Sequence, residues 1–180
     1  MATFPAEAIV NATDRLICMN TSNLPSVSFQ IADAAGPELK NYLKHKHAFG
    51  LRVGEALATP SFGLTNCRFV IHVNGPNYRI RTRRSIPLLK QLLADCYRAC
   101  MEEAYKLGVK SIAFPAISTG MSLGWPRNEA SVIGARTVRA WLRHPIHGQK
   151  RREVIEKVYF LADPVGRQAH QEGAWCAAFR

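Results

Sequence analysis

Short β-rich apolar runs alternate with longer helical periods along this chain, and that alternation restricts its fold more than any other feature. Ala8-Ile9-Val10-Asn11-Ala12 is one such run. Arg68-Phe69-Val70-Ile71-His72-Val73 is another, closed by the turn signal Asn74-Gly75-Pro76. From Ser85 the spacing Leu89, Leu92, Leu93, Cys96, Cys100, Ala104, Leu107 follows one face of a helix, with Ser85 as its N-cap, Pro87 in the first turn and Gly108 as the stop. Ser111 to Ile117 reads as the next strand, followed by a loop. A helix from about Pro126 then turns Ala130, Ile133, Thr137, Val138 and Trp141 inward, Pro145–Arg152 reads as a polar loop, and Val154–Leu161 closes as a last strand.

Strand, helix, strand, helix, strand in succession requires parallel crossovers and a sheet covered on both faces. The expected fold class is α/β, a three-layer α/β/α sandwich with a mostly parallel mixed central sheet. The 180 residues make one domain, 1–180. In such a sheet ligands bind beyond the carboxyl ends of the strands, which directs attention to the segments after Val10, Val73, Ile117 and Leu161.

The net charge is +11, from 24 basic and 13 acidic residues, so anionic partners are favoured. Residues 56–94 carry Arg68, Arg79, Arg81, Arg83, Arg84 and Lys90 without one acid. Residues 130–152 carry Arg136, Arg139, Arg143, Lys150, Arg151 and Arg152, again without one. Each run reads either as a solvated surface or as a site for a polyanion such as nucleic acid. The five cysteines, Cys18, Cys67, Cys96, Cys100 and Cys176, are odd in number and scattered, which reads as reduced thiols. No secretory leader or membrane span is evident, so a cytoplasmic protein with no membrane partner is expected, and the Asn11 and Asn20 sequons are expected to carry no glycan. His45 and His47 with Cys18 or Cys67 lack the spacing of a zinc site. Neither a metal nor a cofactor is expected.

Phe114 to Pro126 is the most informative stretch: a strand ending in Ser118-Thr119-Gly120, a short loop closed by Gly124, and a helix start. Glycines let successive backbone N–H groups converge on an anion, and the helix N-terminus adds partial positive charge. The alternative is an ordinary strand-to-helix loop. Neither a Walker phosphate loop nor a Gly-x-Gly-x-x-Gly fingerprint is present.

Ala8–Asp14, Ala34–Leu39, Gly54-Glu55-Ala56 with Thr59, Val70-Ile71-His72 with Gly75-Pro76, and Phe114–Gly120 together resemble the macrodomain, in that family's order and over about residues 7–163. The resemblance implies an α/β/α fold whose cleft binds ADP-ribose or a related nucleotide, and several family members remove ADP-ribose from proteins or nucleic acids. Carried over by position, Asn11 and Ala12 fall near the distal ribose. Ser118, Thr119, Gly120, Met121, Ser122, Leu123 and Gly124 fall on the diphosphate loop, and Trp125 falls at the aromatic position beside that ribose.

The chain also departs from the family pattern. The second asparagine of the hydrolases is here Asp14, the segment Met19–Ser28 has no glycine, and Ser28 stands where their loop aspartate would be. Cleavage at the ribose anomeric carbon needs a cationic transition state stabilised and a water placed. Asn11 and Asp14 are the candidate catalytic residues. No aspartate precedes Glu7 to meet the adenine, which leaves that role to the backbone or to Asp163, or implies a different ligand or a clipped start. Three readings stand: a hydrolase of ADP-ribosyl linkages, a non-catalytic reader of ADP-ribose signals on ADP-ribosylated protein or nucleic acid, and a basic nucleic-acid- or poly(ADP-ribose)-binding protein.

Overall fold

The computed structural model describes residues 1–15, 17, 26–47, 49–161 and 175. Five strands form one sheet: β1 (Ala8–Thr13), β2 (Ala56–Pro60), β3 (Phe69–Asn74), β4 (Ser111–Phe114) and β5 (Lys157–Phe160), in the order β2-β3-β1-β4-β5. β1 pairs parallel with β3 and β4, and β4 with β5, while β2 is an antiparallel edge on β3. The helices are α1 (Val27–Ala35), α2 (Pro37–Lys46), α3 (Ile86–Lys106), α4 (Arg127–Leu142) and α5 (Gly148–Val154), with a 3-10 turn at Tyr78–Ile80.

Strand alternation divides the core into two layers. Ala8, Val10, Ile71, Val73, Ile112 and Phe114 point to one face and pack with Leu93, Cys96, Tyr97 and Cys100 of α3 and Ala130, Val138 and Trp141 of α4. Ile9, Val70 and Ala113 point to the other and pack with Ile31 and Ala35 of α1 and Leu39 and Leu43 of α2. The mixed α/β sandwich is therefore observed as expected.

Several boundaries differ from the sequence reading, each for a local reason. β4 stops at Phe114 because Pro115 has no N–H to continue the ladder. Ser85 precedes α3, but its Oγ accepts the Thr82 N–H at 2.7 Å and makes no side-chain cap to the helix. The stretch Pro145–Arg152, read as a loop, contains most of α5, and the last strand starts only at Lys157. α5 is held by Arg151, whose guanidinium lies 4.0 Å from the Trp141 ring centroid and donates to Glu102 at 2.7 Å. Glu102 also accepts the Trp141 indole N–H at 2.5 Å. α1, α2 and β2 were not anticipated. Ser26 caps α1 by accepting the Phe29 N–H at 3.1 Å, and Gly36, at φ +81°, turns the chain into the Pro37 start of α2.

Candidate functional site

The parallel strands β1, β3 and β4 share a carboxyl edge, and the described residues proposed from sequence lie there in two segments, the later part of β1 with Asp14 and the loop after β4. The loop after β4 has the most defined geometry. Ser118 takes a left-handed conformation at φ +65°, is 3% exposed, and has a buried Oγ with no partner among the described residues. Such a backbone costs a non-glycine residue roughly 1–2 kcal/mol and persists only where the surroundings impose it. Gly75 permits it, because a Cβ there would overlap the Ser118 hydroxyl and lie 3.0 Å from Ile117. The expected turning role of Gly120 thus falls to Ser118, with Gly124 at φ +69° closing the loop.

Internal bonds of the loop use the later amides. Leu123 and Gly124 N–H both donate to the Gly120 carbonyl, at 3.2 and 2.9 Å, and Trp125 N–H donates to the Ser118 carbonyl at 3.1 Å. Among the described residues the N–H groups of Gly120, Met121 and Ser122 donate to no acceptor. Met121 is 72% exposed, and a Cβ on Gly120 would meet none of the described atoms within 4 Å. Three consecutive amides on an exposed stretch at the sheet's carboxyl edge are therefore left without an acceptor among the described residues, and unused donors of this kind are what an anion cradle requires.

The β3–α3 connection clasps this loop from the side. Trp125 donates its indole N–H to the Pro76 carbonyl at 3.1 Å, Tyr78 N–H donates to the Leu123 carbonyl at 2.9 Å, and Arg79 Nε donates to the Met121 carbonyl at 2.7 Å. Arg79 was singled out only as part of a basic run. Its signal was the Gly75-Pro76-Asn77 turn that returns the chain toward β4, but the contact spans 42 residues of sequence. Trp125 is 2% exposed and packs on Tyr78 with ring centroids 4.5 Å apart. It forms the wall behind the loop, and its ring is covered by protein.

Asn11 is fully buried on β1, and its amide faces His72, the residue in register on β3. Thr59 Oγ1 donates its one proton to the Pro60 carbonyl at 3.0 Å and so accepts from His72 Nε2–H at 3.1 Å. His72 Nδ1 is then the acceptor for Asn11 Nδ2–H, also at 3.1 Å. Burial, aided by the charge of His47, pushes the His72 pKa down to about 3, so the imidazole is neutral throughout the physiological range. This chain across β2, β3 and β1 fixes the Asn11 amide with its Oδ1 unpartnered among the described residues; Thr13 Oγ1, two residues on and on the same strand face, is likewise buried without a partner.

Ala12 faces the α3 layer, and Asp14 is exposed just beyond the end of β1. Ser28 lies in the first turn of α1 with its Oγ buried. Asp163, the segment 18–25 with Cys18, and Cys176 lie outside the described residues. Burial pushes the Cys67 thiol up to about 11 and Cys96 up to about 12, and raises Cys100 as well, which leaves all three unreactive as nucleophiles. Of the first basic run, Arg79 lies beside the cradle and Arg81 stacks on the adjoining Tyr78. α4 carries Arg136 and Arg143 away from the cradle, since a crossover helix runs back toward the amino edge of the sheet.

The family model described as Macro domain matches residues 10–133 of the sequence. The chain belongs to the macro domain family. Ganglioside-induced differentiation-associated protein 2 of Macaca fascicularis is 35% identical over 168 residues, covering 91% of this chain; the chain spans only 34% of that relative's length. The crystal structure of the macro domain of ganglioside-induced differentiation-associated protein 2 superposes with TM-score 0.75 at 34% identity, covering 96% of this chain and 75% of that one. The Oceanobacillus iheyensis macrodomain solved with ADP gives TM-score 0.72 at 27% identity, covering 99% and 85% respectively.

Proposed function

We propose that this macrodomain binds ADP-ribose, or a nucleotide derived from it, with the diphosphate on the Gly120, Met121 and Ser122 amides and the distal ribose toward the end of β1, and that it acts as a reader of ADP-ribose signals. The observation that carries the reading is the run of three unused N–H groups held open between Ser118 and Gly124. A diphosphate satisfies several such donors at once, and charge-assisted bonds of this kind are stronger than neutral ones. The Oceanobacillus iheyensis macrodomain solved with ADP, and a variant of it solved with ADPR, support the ligand class.

The reader role rests on Ser28, a hydroxyl in the position read as that of the hydrolases' loop aspartate, which supplies no negative charge to a cationic transition state. Asp14, exposed at the end of β1, favours the hydrolase reading instead. Two assays decide. Calorimetric titration with ADP-ribose, beside AMP, is expected to give saturable binding that Gly120→Glu abolishes. That variant is a clean probe, since Gly120 lacks the positive φ that would strain a side chain and has open space around it. Incubation with ADP-ribosylated protein and nucleic acid is expected to release no ADP-ribose. Release that disappears in Asp14→Ala would replace the reader with a hydrolase, and equal affinity in Gly120→Glu would remove the cradle.

A further inference from the structure

We propose that Arg79 is the positioning residue of the amide cradle, holding the Met121–Ser122 peptide in the orientation that makes the loop an anion site. The identity of the anion rests on the ligand reading above; the hold on the loop does not.

All peptide bonds of the described chain are trans, so the Met121 carbonyl and the Ser122 N–H point in opposite directions. Arg79 Nε–H takes the Met121 carbonyl at 2.7 Å, which turns the Ser122 N–H to the opposite side of the loop, away from the arginine. Without that donor the exposed plane is free to flip, and a flip would exchange an N–H for a carbonyl oxygen in the cradle. An oxygen facing a phosphate repels it where an amide attracts it, so one rotation reverses the sign of the contact.

Two features suit Arg79 to this role. Its stem lies where a side chain on Gly124 would be: a Cβ there would stand 2.9 Å from Arg79 Cγ and 3.2 Å from Nε. The glycine therefore serves the left-handed turn and also the passage of the arginine. Apart from the Met121 bond, no carboxylate competes for the guanidinium: residues 56–94 contain no acid, and among the described residues Arg79 pairs with no carboxylate. The backbone of Arg79 is fixed as well, since its N–H donates to Asn77 Oδ1 at 2.9 Å and the adjoining Tyr78 N–H donates to the Leu123 carbonyl at 2.9 Å. Arg81 is engaged elsewhere, stacked 4.4 Å from the Tyr78 ring centroid and donating to the Tyr78 carbonyl.

The test compares wild type, Arg79→Met and Arg79→Lys. Amide hydrogen exchange on the ligand-free proteins should show faster exchange at Leu123 and Gly124, whose N–H groups bond the Gly120 carbonyl within the loop, in Arg79→Met, with the rest of the chain unchanged. Calorimetry with ADP-ribose should show about a tenfold loss of affinity in Arg79→Met, the size expected when a charge-assisted bond is lost. Arg79→Lys, which still offers a donor to the Met121 carbonyl, should recover part of it. Melting temperatures should stay close to wild type, because the side chain is exposed, and this separates positioning from a general loss of fold. Unchanged exchange in Arg79→Met overturns the proposal, as does wild-type affinity. If wild type itself fails to bind ADP-ribose, the ligand reading falls, and the exchange comparison still decides whether Arg79 holds the loop.

Discussion

His72 should make this protein lose stability in mild acid. Its imidazole is fully buried between Thr59 and Asn11, and burial lowers its pKa to about 3, against roughly 6.5 in an unfolded chain. The sign follows from where the proton binds. Below about pH 6.5 the unfolded state takes up a proton that the folded state refuses, so acid favours unfolding, and the effect grows until the pH reaches the folded-state value. Integrating between those two values gives a loss of about 2 kcal/mol from pH 7 to pH 5, rising to about 4 kcal/mol at pH 3. Urea denaturation at pH 7, 6 and 5 measures it directly. The other ionisable groups contribute to the same curve, so His72→Gln, which cannot take a proton, serves as the reference, and the slope difference between the two proteins isolates the imidazole. Should the variant fail to fold, NMR titration of the wild-type ring replaces it, and the His72 resonances should stay at neutral-form shifts down to about pH 4. The same pH dependence in wild type and His72→Gln, or a ring that titrates near its ordinary value, would refute the buried neutral imidazole and with it the assigned orientation of Asn11.

Gly75→Ala should destabilise the fold by about 1–3 kcal/mol, because its Cβ overlaps the Ser118 hydroxyl. It should weaken ADP-ribose binding further by displacing the start of the loop; chemical denaturation and calorimetry on the same variant separate the two effects. Tyr97→Phe removes the hydroxyl that accepts the Ile117 N–H at 3.2 Å in a fully buried setting. Leaving that amide unpaired should cost about 1–3 kcal/mol, read as a lower melting temperature in differential scanning calorimetry. Arg151→Ala should lower stability by about 1–2 kcal/mol through loss of the Trp141 stack and the Glu102 bond; an unchanged melting temperature would show that α5 is held in some other way.

The elements legible in the sequence were those whose pattern is strong without reference to the rest of the chain. β1, β3, β4 and α3 carry continuous apolar runs or a long helical period, and the sandwich follows from their order. β2 was not legible. Ala56-Leu57-Ala58-Thr59-Pro60 has one β-branched residue and a terminal proline, which an edge strand tolerates and a central one would not. α5 is short and polar, and it exists through Arg151, Trp141 and Glu102, which lie far apart in sequence. At the site the glycine-bounded loop stood out, as did its place after a strand. Its clasp did not, since Arg79 meets Met121 only once β3 and β4 lie on either side of β1. Asn11 was legible through the macrodomain resemblance, but its partner His72 depends on the β1–β3 register, and a lone histidine inside an apolar strand gives no hint of that register.

The most direct test of the central claim is an amide chemical-shift titration of the protein with ADP-ribose. If the ligand's diphosphate rests on the cradle, the Gly120, Met121 and Ser122 N–H resonances should move first and furthest, with Thr13 and Asp14 following as the distal ribose settles at the end of β1. Saturable shifts elsewhere with these three amides unmoved, or no shifts at all, would contradict the account.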